Sequence, residues 1–368
     1  MAQRKGLLLF SRPDAKFESW ARGVRAISDI HEAVSAWRPW FGFCHFLRYR
    51  VQGYRVDAFV VRYLNDPGSL ASALLRLGGD AVTLFVARLL GIPIFWILHN
   101  VDRETCNQRP LIIRCRRHLV RRNASAFFVT EKALVEPAQR LHALPAPVHV
   151  LPLGEPSDAC LYPEQSSDTW DRFRSGAERW LRAEGAQAVD LSPCLLVVGT
   201  PEEKYTHFWR LRELLDHARR RGLSLRALIV APLDEGYGEN LRRELAEHVA
   251  RGTVYLSETY VPLNWKWAKK HCTALLRGYS DLSMSHAIYH SVSVGMPVLA
   301  MPGPVIPKVV RDEEIGEVLE DDFSNLEQVL RQLQPLNDAT VAGFFSARSG
   351  VRAAEVLLQT ARDVAASG

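Results

Sequence analysis

The chain alternates short, uninterrupted apolar runs with longer stretches in which apolar residues recur on a helical period. Gly6 to Phe10, Asp57 to Val61, Ile92 to Leu98, Ala126 to Thr130 and Val148 to Leu153 are too short for helices and lack strict polar alternation. They predict strands covered on both faces, as in a parallel sheet. Helical patterns over Phe17 to Ile30, Leu70 to Leu77 and Ala81 to Leu90 lie between them, so five or so strands make one α/β domain by about Gly154. The alternation then restarts. Cys194 to Val198, Leu225 to Ala231, Val254 to Ser257, Thr273 to Leu276 and Pro297 to Met301 predict a second sheet, with helices over Glu239 to Ala250, Leu326 to Leu333 and Arg348 to Val364. No fixed-period repeat relates the two halves.

Three places concentrate candidate chemistry. The run Ile92 to Leu98 ends in His99, Asn100, Val101, Asp102, Arg103 and Glu104, polar residues placed where open α/β sheets bind ligands. His99 can bond a hydroxyl and Asp102 or Glu104 can accept a proton, although Asn100 and Asp102 also suit a helix cap. After Val198, Thr200 reads as an N-cap, Pro201 as the first helical residue and Glu203 as the partner in a capping box, with Lys204 reaching outward. Between Leu276 and Pro297, Ser283 or Ser285 can cap a helix that buries Ala287, Ile288, Ser291, Val292 and Val294 and stops at Gly295. Amides at such a helix start attract phosphate.

Charge divides the chain. Residues 1 to 155 hold 22 Lys and Arg against 12 Asp and Glu, and the remainder holds 24 against 29. Basic and aromatic residues interleave over 37–50, and arginines crowd one side of the helical pattern over 109–122, so both segments suit an anionic membrane surface, or else a core helix with a charged rim. No zinc-finger spacing or other reader module accompanies them, so nucleic acid is not expected as a partner. No apolar run of about 18 residues is free of charges. Six scattered cysteines without a C-x-x-C pair, and no secretory leader, predict reduced thiols and a cytoplasmic protein, peripheral at the inner face of the plasma membrane.

The order of these features resembles the GT-B glycosyltransferases, in particular the bacterial nucleotide-sugar-dependent polysaccharide family. The carrying residues are His99-Asn100 after a strand, Gly199 with Lys204 a few positions on, and the small polar segment, helix and Gly295-x-Pro297-Val298 before a strand. The resemblance implies an α/β, GT-B fold of two Rossmann-like domains with parallel sheets facing across a cleft. Residues 1–154 would form the acceptor-side domain, 155–191 a linker with an interdomain helix, 192–345 the nucleotide-sugar domain, and 346–368 a helix packing back on the first. The family's two glutamates, eight apart with Gly-x-Gly after the first, are replaced by Leu282, Ser283, Ser285 and His290.

The function so implied is transfer of a sugar, hexosyl by expectation, from a nucleotide-diphosphate donor to a lipid-linked or saccharide acceptor in surface polysaccharide assembly. His99, Asp102 and Glu104 would serve catalysis. Lys204, Thr200, Tyr260, Ser283, Ser285, His286 and His290 would hold the donor, and Arg12 and Asn100 would lie on the acceptor side. No cofactor or metal is expected, since no Asp-x-Asp motif occurs. The alternatives are a nucleotide-sugar epimerase on the same fold and a non-catalytic partner of a membrane glycosylation complex.

Overall fold

A computed structural model describes residues 5–36, 41–64, 69–102, 109–157, 161, 168–182, 193–233, 236–257 and 261–367. Glu104 and Tyr260, the residues 37–40 of the aromatic-basic stretch, and the turn expected at 65–68 lie outside them. The chain divides into two compact units. The first comprises residues 1–155, 282–284 and 345–368, and the second comprises 156–281 and 285–344.

In the first unit, β1 (Gly6–Phe10), β2 (His31–Ser35), β3 (Arg55–Val61), β4 (Ile94–Leu98), β5 (Ala126–Val129) and β6 (Val148–Val150) form one sheet in the order β2-β1-β3-β4-β5-β6. All its pairings are parallel. Every residue of β1, β4 and β5 is buried, as expected of strands covered on both faces. The helices are α1 (Ala15–Ile27), α2 (Gly42–Val51), α3 (Leu70–Leu89), α4 (Pro110–Asn123) and α5 (Val135–His142). Right-handed crossovers place α1, which leads to β2, on the face opposite α3 and α4, which lead the other way along the sheet. The direction of winding reverses between β1 and β3. Their carboxyl ends therefore flank a switch point, where open α/β sheets accept ligands.

Three features differ from the sequence expectation. The two apolar patterns at 70–77 and 81–90 are one continuous helix, α3. The aromatic-basic segment is partly core: Phe46 of α2 is fully buried and meets Phe59 edge-on at 5.2 Å. The arginines of α4 do not all face solvent. Arg116 is buried and pairs with Asp80 at 2.6 Å, and Arg117 and Arg121 donate to backbone carbonyls, Arg117 to Asn100, Val101 and Asp102 and Arg121 to His142. Carbonyls left open at loop ends draw these guanidinium groups inward.

In the second unit, α6 (Asp168–Arg182) precedes β7 (Cys194–Val198), after which come α7 (Thr206–Trp209), α8 (Leu211–Arg220), β8 (Arg226–Val230), α9 (Tyr237–Glu244), α10 (Ala246–Ala250) and β9 (Val254–Leu256). Then follow α11 (Trp265–His271), β10 (Ala274–Arg277), α12 (His286–Ser293), β11 (Val298–Ala300), α13 (Ile306–Asp312), β12 (Gly316–Val318), α14 (Leu326–Gln332) and α15 (Asp338–Ser346). The sheet order is β12-β11-β10-β7-β8-β9, again all parallel, and its switch point lies between β7 and β10. The helix expected over Glu239 to Ala250 breaks at Leu245 into α9 and α10. Gly295, at φ +72°, ends the α12 turn as the sequence predicts.

The last helix, α16 (Gly350–Ser367), belongs to the first unit, where it packs along α1. Arg348 just before it forms a buried ion pair with Glu131 at 2.9 Å, and Glu155 accepts from the Gly350 amide at 2.7 Å.

Candidate functional site

The second unit gathers a cationic cluster at its switch point. β10 ends in Arg277, whose guanidinium is buried among the ends of β7, α7 and α12. Its Nε donates to Ser285 Oγ at 2.8 Å and its Nη2 to the Tyr279 hydroxyl at 2.8 Å, while Nη1 donates to the Val198 carbonyl and reaches His207 Nε2 at 3.0 Å. Among the described residues no carboxylate lies within ion-pair distance of it. A buried guanidinium satisfied only by neutral groups leaves a positive charge that an anion can neutralise.

Lys204 is the second cation. It is buried, 3.3 Å from Asp281, and lies over the rings of Tyr205 and Tyr279 at 5.1 and 5.6 Å. Arg277 lies over the same rings at 5.5 and 5.1 Å, so two tyrosines share two cations. Burial, then the neighbouring Tyr279 and Glu202, push the Tyr205 hydroxyl well above its ordinary range, so it stays neutral. Burial also raises the Glu202 carboxyl, against the pull of Lys204.

The capping box expected over Thr200 to Glu203 does not form. Residues 199–205 make a loop, and α7 begins only at Thr206. A local turn and one tertiary bond replace the cap: the Glu202 carbonyl accepts from Tyr205 N and Trp209 Nε1, and the Lys204 carbonyl accepts from the Ser280 amide at 2.9 Å. Lys204 is consequently drawn in rather than projecting outward, and Thr200 is exposed. Gly199, at φ +114°, makes the turn out of β7.

Ser285 occupies the N-cap position of α12, but its hydroxyl makes no cap bond because it serves Arg277. His286 and His290 stand one turn apart with ring centroids 4.6 Å apart, and Trp265 packs on His290 at 5.1 Å. The Nε2 of His290 is sealed from solvent without a partner among the described residues, and burial lowers its pKa to about 4.

The first unit has its own cluster at its switch point, of which Arg12, His99, Asn100 and Asp102 were anticipated. Arg62 follows β3 with a fully buried side chain. It holds both oxygens of Asp14 at 3.0 and 2.7 Å and donates from Nε to His99 Nε2 at 3.1 Å. Burial works to raise the Asp14 carboxyl, but the charge and hydrogen bonds of Arg62 overcome it and leave the group below its ordinary pKa. Tyr63, in the left-handed region at φ +43°, stacks on His99 at 4.4 Å and 9°, and its hydroxyl accepts from Lys16 Nζ at 2.6 Å. Arg12 is exposed and lies 5.5 Å from the Tyr63 ring. A non-glycine residue in that conformation stores strain of about 1 kcal/mol or more, which the stacking and the Lys16 bond hold in place.

Within the same unit, segment 282–284 meets the loop after β4. Asn100 forms a β-bridge with Ser283, Val101 N donates to Leu282 O at 3.0 Å, and Asp102 Oδ1 accepts from Leu282 N at 3.2 Å. Ser283 is thereby engaged by the loop after β4 while Ser285 serves Arg277, and Asp102 Oδ1 fixes that loop.

Arg62 and Arg277 escaped the sequence reading, yet both carry one signal: an arginine directly after a run of buried apolar residues, Ala58 to Val61 and Ala274 to Leu276.

No protein-family model matches the chain, and no curated protein matches it in sequence. Solved structures do. HepE from Anabaena, in complex with UDP, aligns at TM-score 0.60 and 13% identity over 98% of this chain and 100% of that one. A glycosyltransferase from Rickettsia africae aligns at TM-score 0.64 and 8% identity over 98% of each chain. The lipopolysaccharide outer core galactosyltransferase WaaB, in its apo form, aligns at TM-score 0.57 and 11% identity over 97% of this chain and 98% of that one. At such identities the likeness is one of fold: two Rossmann-like α/β units of the GT-B glycosyltransferase kind.

Proposed function

We propose that this chain is a GT-B glycosyltransferase that takes its sugar from a nucleoside-diphosphate donor and passes it to a lipid-linked or saccharide acceptor. The observation that carries the reading is the buried guanidinium of Arg277 at the switch point of the second sheet, which shares the rings of Tyr205 and Tyr279 with Lys204 and, among the described residues, has no carboxylate of its own. A diphosphate supplies the missing negative charge. During transfer, charge builds on the departing diphosphate, and Arg277 and Lys204 stabilise it from positions fixed in advance by Val198, His207, Ser285 and Tyr279. That a GT-B neighbour of this fold is seen with UDP supports the reading.

The first unit would supply the acceptor side, through His99, Tyr63, Arg62 and Lys16. His99 would act there as an oriented hydrogen-bonding ring, since Arg62 occupies its Nε2 lone pair. Asp102, in the same loop after β4, would accept a proton from an acceptor hydroxyl.

The test is calorimetric binding of UDP, GDP and dTDP to the purified chain, and then of the matching sugar nucleotides with turnover followed by release of the diphosphate. One nucleoside diphosphate should bind, and Arg277→Lys should weaken that binding about tenfold or more. Absence of binding by all three to folded protein would sink the reading and favour a non-catalytic partner of the same fold.

A further inference from the structure

The long helix α3 is turned the wrong way round for a surface helix of a soluble α/β domain. One side buries the small residues Ala73, Thr83 and Ala87 together with Leu84. The outer side is apolar along its whole length: Leu70, Leu74, Leu75, Val82, Phe85 and Leu89 are between 47% and 69% exposed. At 100° per residue these positions fall on one continuous face about 30 Å long. The helix is long and apolar enough to cross a membrane by length and composition. It is held instead within the first unit, where it packs on α2 and α4 and where its Asp80 is paired with Arg116.

Beyond the carboxyl end of this face lies a recess of about 1110 Å³ lined by Arg50, Arg55, Arg88, Arg122 and Arg362, against one carboxylate, Asp57, which is itself held by Arg55 at 2.5 Å. Arg50, Arg88 and Arg122 come from the last turns of α2, α3 and α4, and among the described residues none of the three has a carboxylate partner. Arg88, Leu89 and Leu90 join the recess to the apolar face.

We infer that the outer face of α3 docks on an anionic phospholipid bilayer, its leucines and Phe85 entering the interface while Arg50, Arg88 and Arg122 meet lipid phosphates. The charge favours this occupant over a second copy of the chain, which would cover the apolar face but bring no carboxylates to Arg50, Arg88 and Arg122, since Asp57, the one carboxylate of the recess, is already held by Arg55. An apolar face with an unneutralised basic end suits a surface that offers hydrocarbon and negative charge together. The apolar part of the surface, α3, lies outside the segments 37–50 and 109–122 that composition singles out, which contribute only Arg50 and Arg122 to it, and the surface does not depend on the proposed sugar transfer.

Flotation of the full chain with vesicles of phosphatidylcholine, alone or mixed with phosphatidylglycerol, tests this without any donor present. The chain should float with the mixed vesicles, stay behind with phosphatidylcholine alone, and be released by high salt. The double variant Leu74→Ser/Phe85→Ser, and separately the triple variant Arg50→Gln/Arg88→Gln/Arg122→Gln, should each lower binding about tenfold or more. All the replaced side chains are on the surface, and unchanged melting temperatures will show that the fold is intact. No flotation of the parent chain, or flotation unaffected by either variant, overturns the inference. A dimer by sedimentation that Leu74→Ser/Phe85→Ser dissolves, with no flotation, assigns the face to a second copy and overturns it equally. Loss of nucleotide binding with flotation retained would strike the proposed function alone.

Discussion

Arg277 Nη1 meets His207 Nε2 at 3.0 Å inside the second unit, and this contact settles the charge state of both. A guanidinium cannot accept, so His207 offers its Nε2 lone pair and carries its proton on Nδ1, where the Gly278 carbonyl accepts it at 2.9 Å. Burial, and then the Arg277 charge, hold the His207 pKa well below its ordinary value. The neutral imidazole positions the arginine without cancelling its charge.

The fork of Arg277 is therefore specific. Arg277→Lys keeps the charge but cannot serve Ser285, Val198, His207 and Tyr279 together. We expect its Kd for the nucleoside diphosphate to rise about tenfold or more, a loss of roughly 1.4 kcal/mol or above. Titration calorimetry on the folded variant checks this, and an unchanged Kd would mean that Arg277 only braces the loops.

Lys204 and Asp281 divide differently. Lys204→Ala removes a cation and leaves the buried Asp281 carboxylate without it, so both ligand affinity and stability should fall, the latter by about 3 kcal/mol. Asp281→Asn removes the carboxylate that competes with phosphate for Lys204. Its affinity for the diphosphate should equal or exceed that of the parent chain. Weaker binding in Asp281→Asn would show that Asp281 orients the lysine for the ligand.

Acid should destabilise the second unit through its neutral histidines. The unfolded chain binds protons at histidine near pH 6.5, while folded His290 does so only near pH 4 and burial holds His207 well below its ordinary value. The unfolded state then holds more protons below pH 6.5, so stability is full above that value and declines as the pH falls toward 4. The His290 share is at most about 3 kcal/mol. His290→Gln, measured by urea unfolding from pH 7 to pH 4, should show a shallower decline than the parent chain, and parallel curves would exclude His290 as a source.

The centre of each sheet was legible because strands such as IFWIL and CLLVV are apolar at every position. The edges were not. In β2, HEAVS, only Ala33 is buried, and β12 is the three-residue GEV, so neither shows the apolar run that marks a covered strand. The site was legible in location more than in membership. His99 and Lys204 do lie at the carboxyl ends of strands, beside the switch points, but each is engaged by a partner remote in sequence, Arg62 at 3.1 Å and Asp281 at 3.3 Å. The capping box at Thr200 to Glu203 failed because a competing local turn, with the Glu202 carbonyl taken by Tyr205 N and Trp209 Nε1, forms instead and Lys204 is held by Ser280.

The contact between α1 and α16 offers a test of the fold itself, because two glycines carry it. A Cβ at Gly23 would fall within the van der Waals shell of the Gly350 carbonyl oxygen, and one at Gly350 would stand 2.6 Å from the Ser19 carbonyl. Backbone, not a flexible side chain, blocks both, so the helices must move apart to admit a methyl group. Gly23→Ala should cost about 1–3 kcal/mol despite the better helix propensity of alanine. Gly78, in the exposed face of α3, has nothing within 4 Å of the same added atom. There only propensity operates, and Gly78→Ala should stabilise by up to about 1 kcal/mol. Equilibrium urea unfolding of the two variants should therefore move in opposite directions from the parent midpoint. If Gly23→Ala also gained stability, the two helices would have to pack less closely than this backbone contact requires.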